Sequence, residues 1–131
     1  MQDRPNIDEL LEAVASFLHE DVMPNTSGRL SFHARVAGNV VEMLRRELEH
    51  QEDHLERTWR GLDELLGREE PPASYRARLQ AVERRQQELS ERIRRGDADE
   101  PGPFRDAVVQ YLFQLVQDKV TVSNPRLAAG S

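Results

Sequence analysis

The chain contains no cysteine, so neither a disulfide framework nor a thiolate metal site can be built. Aromatic residues make up only 5%, which argues against an aromatic-rich β protein. No stretch approaches the roughly 18 apolar residues of a membrane span. The opening MQDRPNIDELLEAV is acidic where a signal peptide needs a basic start. A cytoplasmic location is therefore expected. Basic side chains are outnumbered 24 to 18, and the net charge of −6 opposes the release of phosphate counterions on which general nucleic-acid binding depends. Lysine is nearly missing, since Lys119 is the one exception among 18 basic residues. The arginine excess reflects either codon usage or bidentate binding of carboxylate or phosphate, and composition alone does not separate the two.

Catalytic patterns are also missing. The sequence has no Gly-rich phosphate loop, no nucleophile elbow and no Cys/His arrangement, so no catalytic residue, metal or cofactor is assigned and a non-enzymatic role is expected. His50 and His54 lie four apart on a helix, close to Glu47, Glu49, Glu52 and Asp53, but HQEDH is not HExxH and both histidines project away from the apolar stripe. They are read as part of a solvated polar face.

What is present is helical periodicity. The 131 residues suit a single helical domain with one core, burying roughly two thirds of the surface its unfolded chain exposes. Asn6 caps a first helix with Glu9 as its capping-box partner, and Ile7, Leu10, Leu11, Val14, Phe17, Leu18 and Val22 form its stripe. Pro24 then forces a turn through Gly28. From residue 28 to 48, Leu30, His33, Ala37, Val40, Val41, Leu44 and Leu48 share one face, widened by Phe32, Val36 and Met43. The phase continues through Leu55, Trp59, Leu62 and Leu66, as one helix or as two nearly collinear ones.

Gly67 stops that run, and Pro71 and Pro72 suggest a tight reversal. In the next helix Tyr75, Leu79, Val82, Gln86, Leu89 and Ile93 follow heptad steps. Folding it back pairs Leu66 with Tyr75, Leu62 with Leu79, Trp59 with Val82, Leu55 with Gln86 and Leu48 with Ile93 in one register. The expected fold is thus an all-α bundle of four to five helices built on a long antiparallel hairpin, with Gln86 fixing its register. After the acidic connection GDADEPGP, a last helix from about Pro103 to Val120 has one stripe of Phe104, Val108, Tyr111 and Leu115. Val109, Leu112, Phe113, Val116 and Val120 cover much of its remainder, either buried in a compact bundle or forming an interface to a second copy or another protein. From about residue 123 an extended tail is allowed.

His33 is the one histidine that invites a chemical role. A helical bundle with a single reactive histidine is the plan of a phosphotransfer module, but within the apolar stripe the ring would have poor access, and a hydrogen-bonded core or interface histidine is the simpler reading. Arg35, Asn39, Glu42 and Arg46 follow along the polar arc, as a salt-bridged surface or as a partner contact.

RLSFHARVAGNVVEMLRREL, with the ending DKVTVSNPR and the opening QDRPNIDELLEAVASFL, resembles a bacterial family of small helical proteins of formerly unknown function. Members are commonly encoded beside an aminoglycoside-phosphotransferase-like kinase and an acyl-CoA dehydrogenase. The family is similar to the small accessory subunit of hydroxyacyl-CoA kinases. Its strongest blocks fall on Phe32, His33, Arg35, Val36, Asn39, Arg46, Glu47 and Leu48, and on Lys119, Asn124, Pro125 and Arg126. The middle, from His50 to Gly96, matches poorly in detail. The resemblance implies a non-catalytic kinase subunit in hydroxy-acid catabolism, with Phe32, His33, Arg35, Asn39, Lys119, Asn124 and Arg126 as partner-binding residues. The dehydrogenase and a second copy of the chain are further possible partners. Alternatives are a stand-alone phosphotransfer module using His33 and an acyl-CoA-binding helical bundle.

Overall fold

The computed structural model describes residues 3–129, and every regular element among them is helical: α1 (Ile7–Ser16), continued by a π-helical turn (Phe17–Val22), α2 (Gly28–Leu66), α3 (Tyr75–Arg94), α4 (Pro103–Ser123) and α5 (Pro125–Ala129). The chain has the all-α architecture expected of its periodicity, and α2 is a single 39-residue helix. Pro125–Ala129 is a short helix where the sequence allows an extended tail. The described residues group into two compact units, 3–50 with 122–125 and 51–121 with 126–129. α2 supplies its first half to one unit and its second half to the other.

In the first unit, Asn6 caps α1 through the reciprocal capping box with Glu9. The helix then widens by a residue, with Met23 N–H donating to the Leu18 carbonyl five positions back (2.9 Å), a spacing that tends to appear where a side chain must be re-aimed. The side chain in question is His19. Its Nε2 lies 3.4 Å from the Arg35 carbonyl oxygen, and its ring occupies the space that a Cβ on Gly38 would need. Gly38 therefore allows the two helices to approach. Arg45 closes the other end of this antiparallel pair on Asp8 (2.9 and 3.1 Å), with Glu42 on its own helix holding the guanidinium from below. The hydrogen bond from Arg45 lowers the Asp8 pKa beneath its usual 3.8, so this contact is complete above that value and weakens as acid protonates the carboxylate. Arg46 Nε donates to the Val122 carbonyl oxygen (2.7 Å) and fixes the returning end of α4 within the unit.

In the second unit the direction of α3 differs from the sequence expectation. Tyr75 Oη meets Gln51 (3.3 Å), Arg85 lies over Trp59 and on Asp63, and Arg92 reaches the Leu65 carbonyl oxygen (3.0 Å). Ascending positions on α3 meet ascending positions on α2, so the two run parallel and the register from Leu66–Tyr75 to Leu55–Gln86 does not form. The long antiparallel partner of α2 is α4. Gly61 on α2 faces the Tyr111 ring, where a Cβ would come within 2.6 Å of Cδ2, and Arg57 pairs with Asp118.

The cause lies in the connection after Leu66. Gly67, at φ +99°, ends α2. Instead of reversing at Pro71 and Pro72, the chain returns along α2, where Glu69 accepts from Trp59 Nε1 (3.1 Å) and donates its N–H to Asp63 (3.2 Å). Ser74 then caps α3 near the middle of α2. Arg85 holds this strap in place. Its guanidinium is 1% exposed, stacks at 4.8 Å on Trp59, and donates to Asp63 Oδ1 (2.9 Å) and the Gly67 carbonyl oxygen (2.7 Å), with Glu69 3.1 Å from Nε. Arg78 and Arg92, each seven residues from Arg85, bind the carbonyl oxygens of Pro72 and Leu65. The core beneath comprises Trp59, Leu62, Leu65, Val82, Leu89, Val108 and Tyr111, with Gln86 donating to Tyr111 Oη (2.8 Å) across the α3–α4 seam.

Replacing Arg85 by Met removes its donors to Asp63, Glu69 and the Gly67 carbonyl oxygen, and leaves those of Trp59 and Arg78 in place. Asp63 and Glu69 keep partial access to water, so the expected loss lies near the lower end of the range for a broken buried pair, about 3 kcal/mol. Arg85→Lys should recover roughly half, because one ammonium cannot span the fork. Urea unfolding followed by Trp59, the single tryptophan, measures both. An unchanged midpoint in Arg85→Met would sink this account of the strap.

Candidate interaction surfaces

The residues singled out on α2 form a compact surface group. Arg29 Nε donates to His33 Nε2 at 3.2 Å. The Phe32 ring lies edge-on to His33, with centroids 5.6 Å apart, and Arg35 lies 5.6 Å from the Phe32 centroid. Asn39 follows one turn later. All four predicted residues are exposed, so the expectation of a buried or poorly accessible His33 is corrected. The stripe that carries His33 is helical in period, but nothing in the first unit covers it.

That uncovered stripe has a counterpart on α1. Ile7, Leu10, Val14 and Phe17 are 48% to 65% exposed, while Leu30, Val40, Leu44 and Leu48 on α2 are 44% to 60% exposed. Relative to the buried Ala15 and Gly38, both rows are offset by roughly 80° to 160° in the same rotational sense. Because the helices are antiparallel, the offsets fall on one side of the hairpin. The first unit therefore presents a single broad apolar face.

The second unit has its own uncovered row. On α4, Phe104, Val108, Tyr111 and Leu115 turn toward the core, while Val109, Leu112, Phe113 and Val116 do not. Phe113, at 68% exposure, excludes the reading of α4 as deeply buried within this chain.

Asp118 on α4 is a buried carboxylate. Arg57 Nη2 donates to it at 2.9 Å, Gln114 Nε2 donates at 3.0 Å, and His54 Nε2 lies 3.7 Å away. The hydrogen bond to Asp118 raises the Arg57 pKa further above its ordinary range. This cluster borders a hollow of about 260 Å³ that also touches Gly61 and Tyr111. Its carboxylate is committed to Arg57 and Gln114, which makes it a clamp between α2 and α4. Spacing alone could have revealed it, since Asp118 continues the 104, 108, 111, 115 progression of core positions. Among the described residues, no group of three or more His, Asp or Glu side chains could hold a metal, and His54 turns toward Asp118.

The C-terminal candidates are spread over different elements. Lys119 is exposed on α4, Asn124 is exposed between α4 and α5, and Arg126 is exposed on α5. Asn124 belongs to the first unit, Lys119 and Arg126 to the second. Arg46, also in the resembling block, has a structural task in holding Val122.

A family model described as a domain of unknown function, DUF6285, matches residues 24–127. The chain belongs to the DUF6285 family. No curated protein and no solved structure matches it. The DUF6285 match takes in α2, α3 and α4 whole, and begins after α1 and the π turn. The Phe32–Asn39 group, the outer row of α4 and the Asp118 clamp thus all lie within the DUF6285 region. No helix among the described residues is long and apolar enough to cross a membrane.

Asp118→Ala should cost about 1–2 kcal/mol. Gln114 and Arg57 lose their acceptor, but Arg57 is 42% exposed on its side chain and regains water, which keeps the loss below that of a fully buried pair. Thermal unfolding monitored by circular dichroism tests this, and a variant as stable as the parent would mean that the clamp holds nothing.

Proposed function

We propose that this DUF6285 protein is a non-catalytic accessory subunit of an aminoglycoside-phosphotransferase-like kinase that phosphorylates hydroxyacyl-CoA. The observation that supports a partner-binding role is the outer row of α4, where Val109, Leu112, Phe113 and Val116 give a continuous apolar strip of the kind that protein partners cover. The identity of the partner rests on the family resemblance carried by residues 29–48 and 118–126. Such a chain would act by stabilising the kinase, by ordering a substrate loop, or by directing Lys119 or Arg126 toward the CoA phosphates. Phosphoryl transfer itself belongs to the kinase, which supplies the nucleotide-binding and metal-binding groups that the reaction needs.

Co-expression with the neighbouring kinase decides the matter. The two chains should elute together, and Phe113→Asp, at an exposed position, should weaken the complex at least about tenfold while leaving helicity unchanged. A kinase that has full activity alone and never binds this chain would overturn the proposal.

A second reading draws support from His33. Its ring is exposed and has the Arg29 guanidinium beside it, which is the arrangement a phosphohistidine uses to bind its dianion. In a phosphotransfer module, an imidazole nitrogen would form the N–P bond as the donor's bond to phosphorus breaks. Incubation with acetyl phosphate should then add one acid-labile phosphoryl group to the parent and none to His33→Gln. An unmodified parent would remove this reading.

A further inference from the structure

The two helices of the α1–α2 hairpin differ in net charge. α1 and the residues beside it are acidic, with Asp3, Asp8, Glu9, Glu12, Glu20 and Asp21 against Arg4. The first-unit part of α2, residues 28–50, has a small basic excess, with Arg29, Arg35, Arg45 and Arg46 against Glu42, Glu47 and Glu49. Within the hairpin this asymmetry is already used, through Arg45 on Asp8. The two rows contain no Asp, Glu, Lys or Arg, and their one titratable side chain, His33 on α2, already has Arg29 as a hydrogen-bond partner at the edge of the face.

We infer that two copies of this chain join through that face, each laying its α1 along the α2 of the other, to form an antiparallel four-helix bundle. In this arrangement the two-fold axis runs parallel to the helices. Every neighbouring pair is then antiparallel, and every acidic α1 has a basic α2 on both sides. The register within the hairpin carries over to the dimer, so Leu10 faces Leu44 of the second copy and Val14 faces Val40. The alternative two-fold, across the helices, stacks α1 on α1 and brings the acids together.

The area supports a second copy as the occupant. Eight large side chains, each about half exposed, give several hundred Å² per copy, at the upper end of the patches monomers carry. With the polar rim this approaches the roughly 800 Å² per partner of a standard interface. The returning segment 122–125, held by Arg46, leaves these rows exposed.

Sedimentation of the full chain across the micromolar range should give a dimer, and Val14→Glu and Leu44→Glu should each give a monomer of unchanged helicity. Both positions are exposed, so these variants report on association and not on folding. Because the chain lacks cysteine, single substitutions identify neighbours directly. An oxidised equimolar mixture of Val14→Cys and Val40→Cys chains should give predominantly the mixed covalent dimer. A monomeric parent overturns the inference. So does a parent dimer that survives both Glu variants, or cross-linking confined to like variants.

Discussion

Burying a guanidinium is the costliest local decision in this protein, and the second unit is arranged around making it tolerable. Arg85 has no access to water, so all of its donors must find acceptors inside the fold. Asp63, Glu69 and the Gly67 carbonyl oxygen supply them, and the Trp59 face fills the space above the cation. Those acceptors come from the end of α2 and the segment after it. Satisfying Arg85 therefore fixes the path of the connection, the starting point of α3 and the direction in which α3 runs. A hydrophobic residue at this position could fill the volume but would give the strap no reason to lie where it does.

The two units place their polar contacts and their apolar surfaces differently. In the second, a core of aliphatic and aromatic side chains is enclosed by three helix segments, and its polar groups serve as clamps: Arg85 on the strap, Arg57 with Gln114 on Asp118, and Gln86 on Tyr111. The first unit has only a helical pair and the short returning segment. Its buried positions are the small residues Ala15, Ala34 and Gly38 together with Val122 of the returning segment, while many of its larger apolar side chains face outward. Close approach is achieved by keeping side chains small at the seam, which leaves the outer rows of bulky side chains exposed.

Much of this was legible in the sequence and some was not, for identifiable reasons. Caps and stops depend on local chemistry, so Asn6 with Glu9, Gly67 and Gly96 could be read directly. Heptad spacing likewise located Val82 and Leu89 in the core. Direction could not be read from the same pattern, because evenly spaced apolar residues satisfy a parallel and an antiparallel register equally well. What decides between them is a set of polar contacts by Arg85, Glu69 and Asp63 that hydrophobic periodicity ignores. His33 failed for the opposite reason. Its stripe is real, but periodicity finds an apolar face without saying whether anything in the same chain covers it. The Phe32–Asn39 group was found by resemblance, whereas Arg29 could have been found from its i, i+4 spacing to His33.

The contact between Arg46 and the Val122 carbonyl oxygen spans 76 residues. Synthesis proceeds from the N-terminus, so the first unit cannot be completed when its own two helices have emerged; it waits for the last turn of α4. During that interval the nascent hairpin already carries both outward apolar rows, and sequence-distant closure is slow compared with local helix pairing.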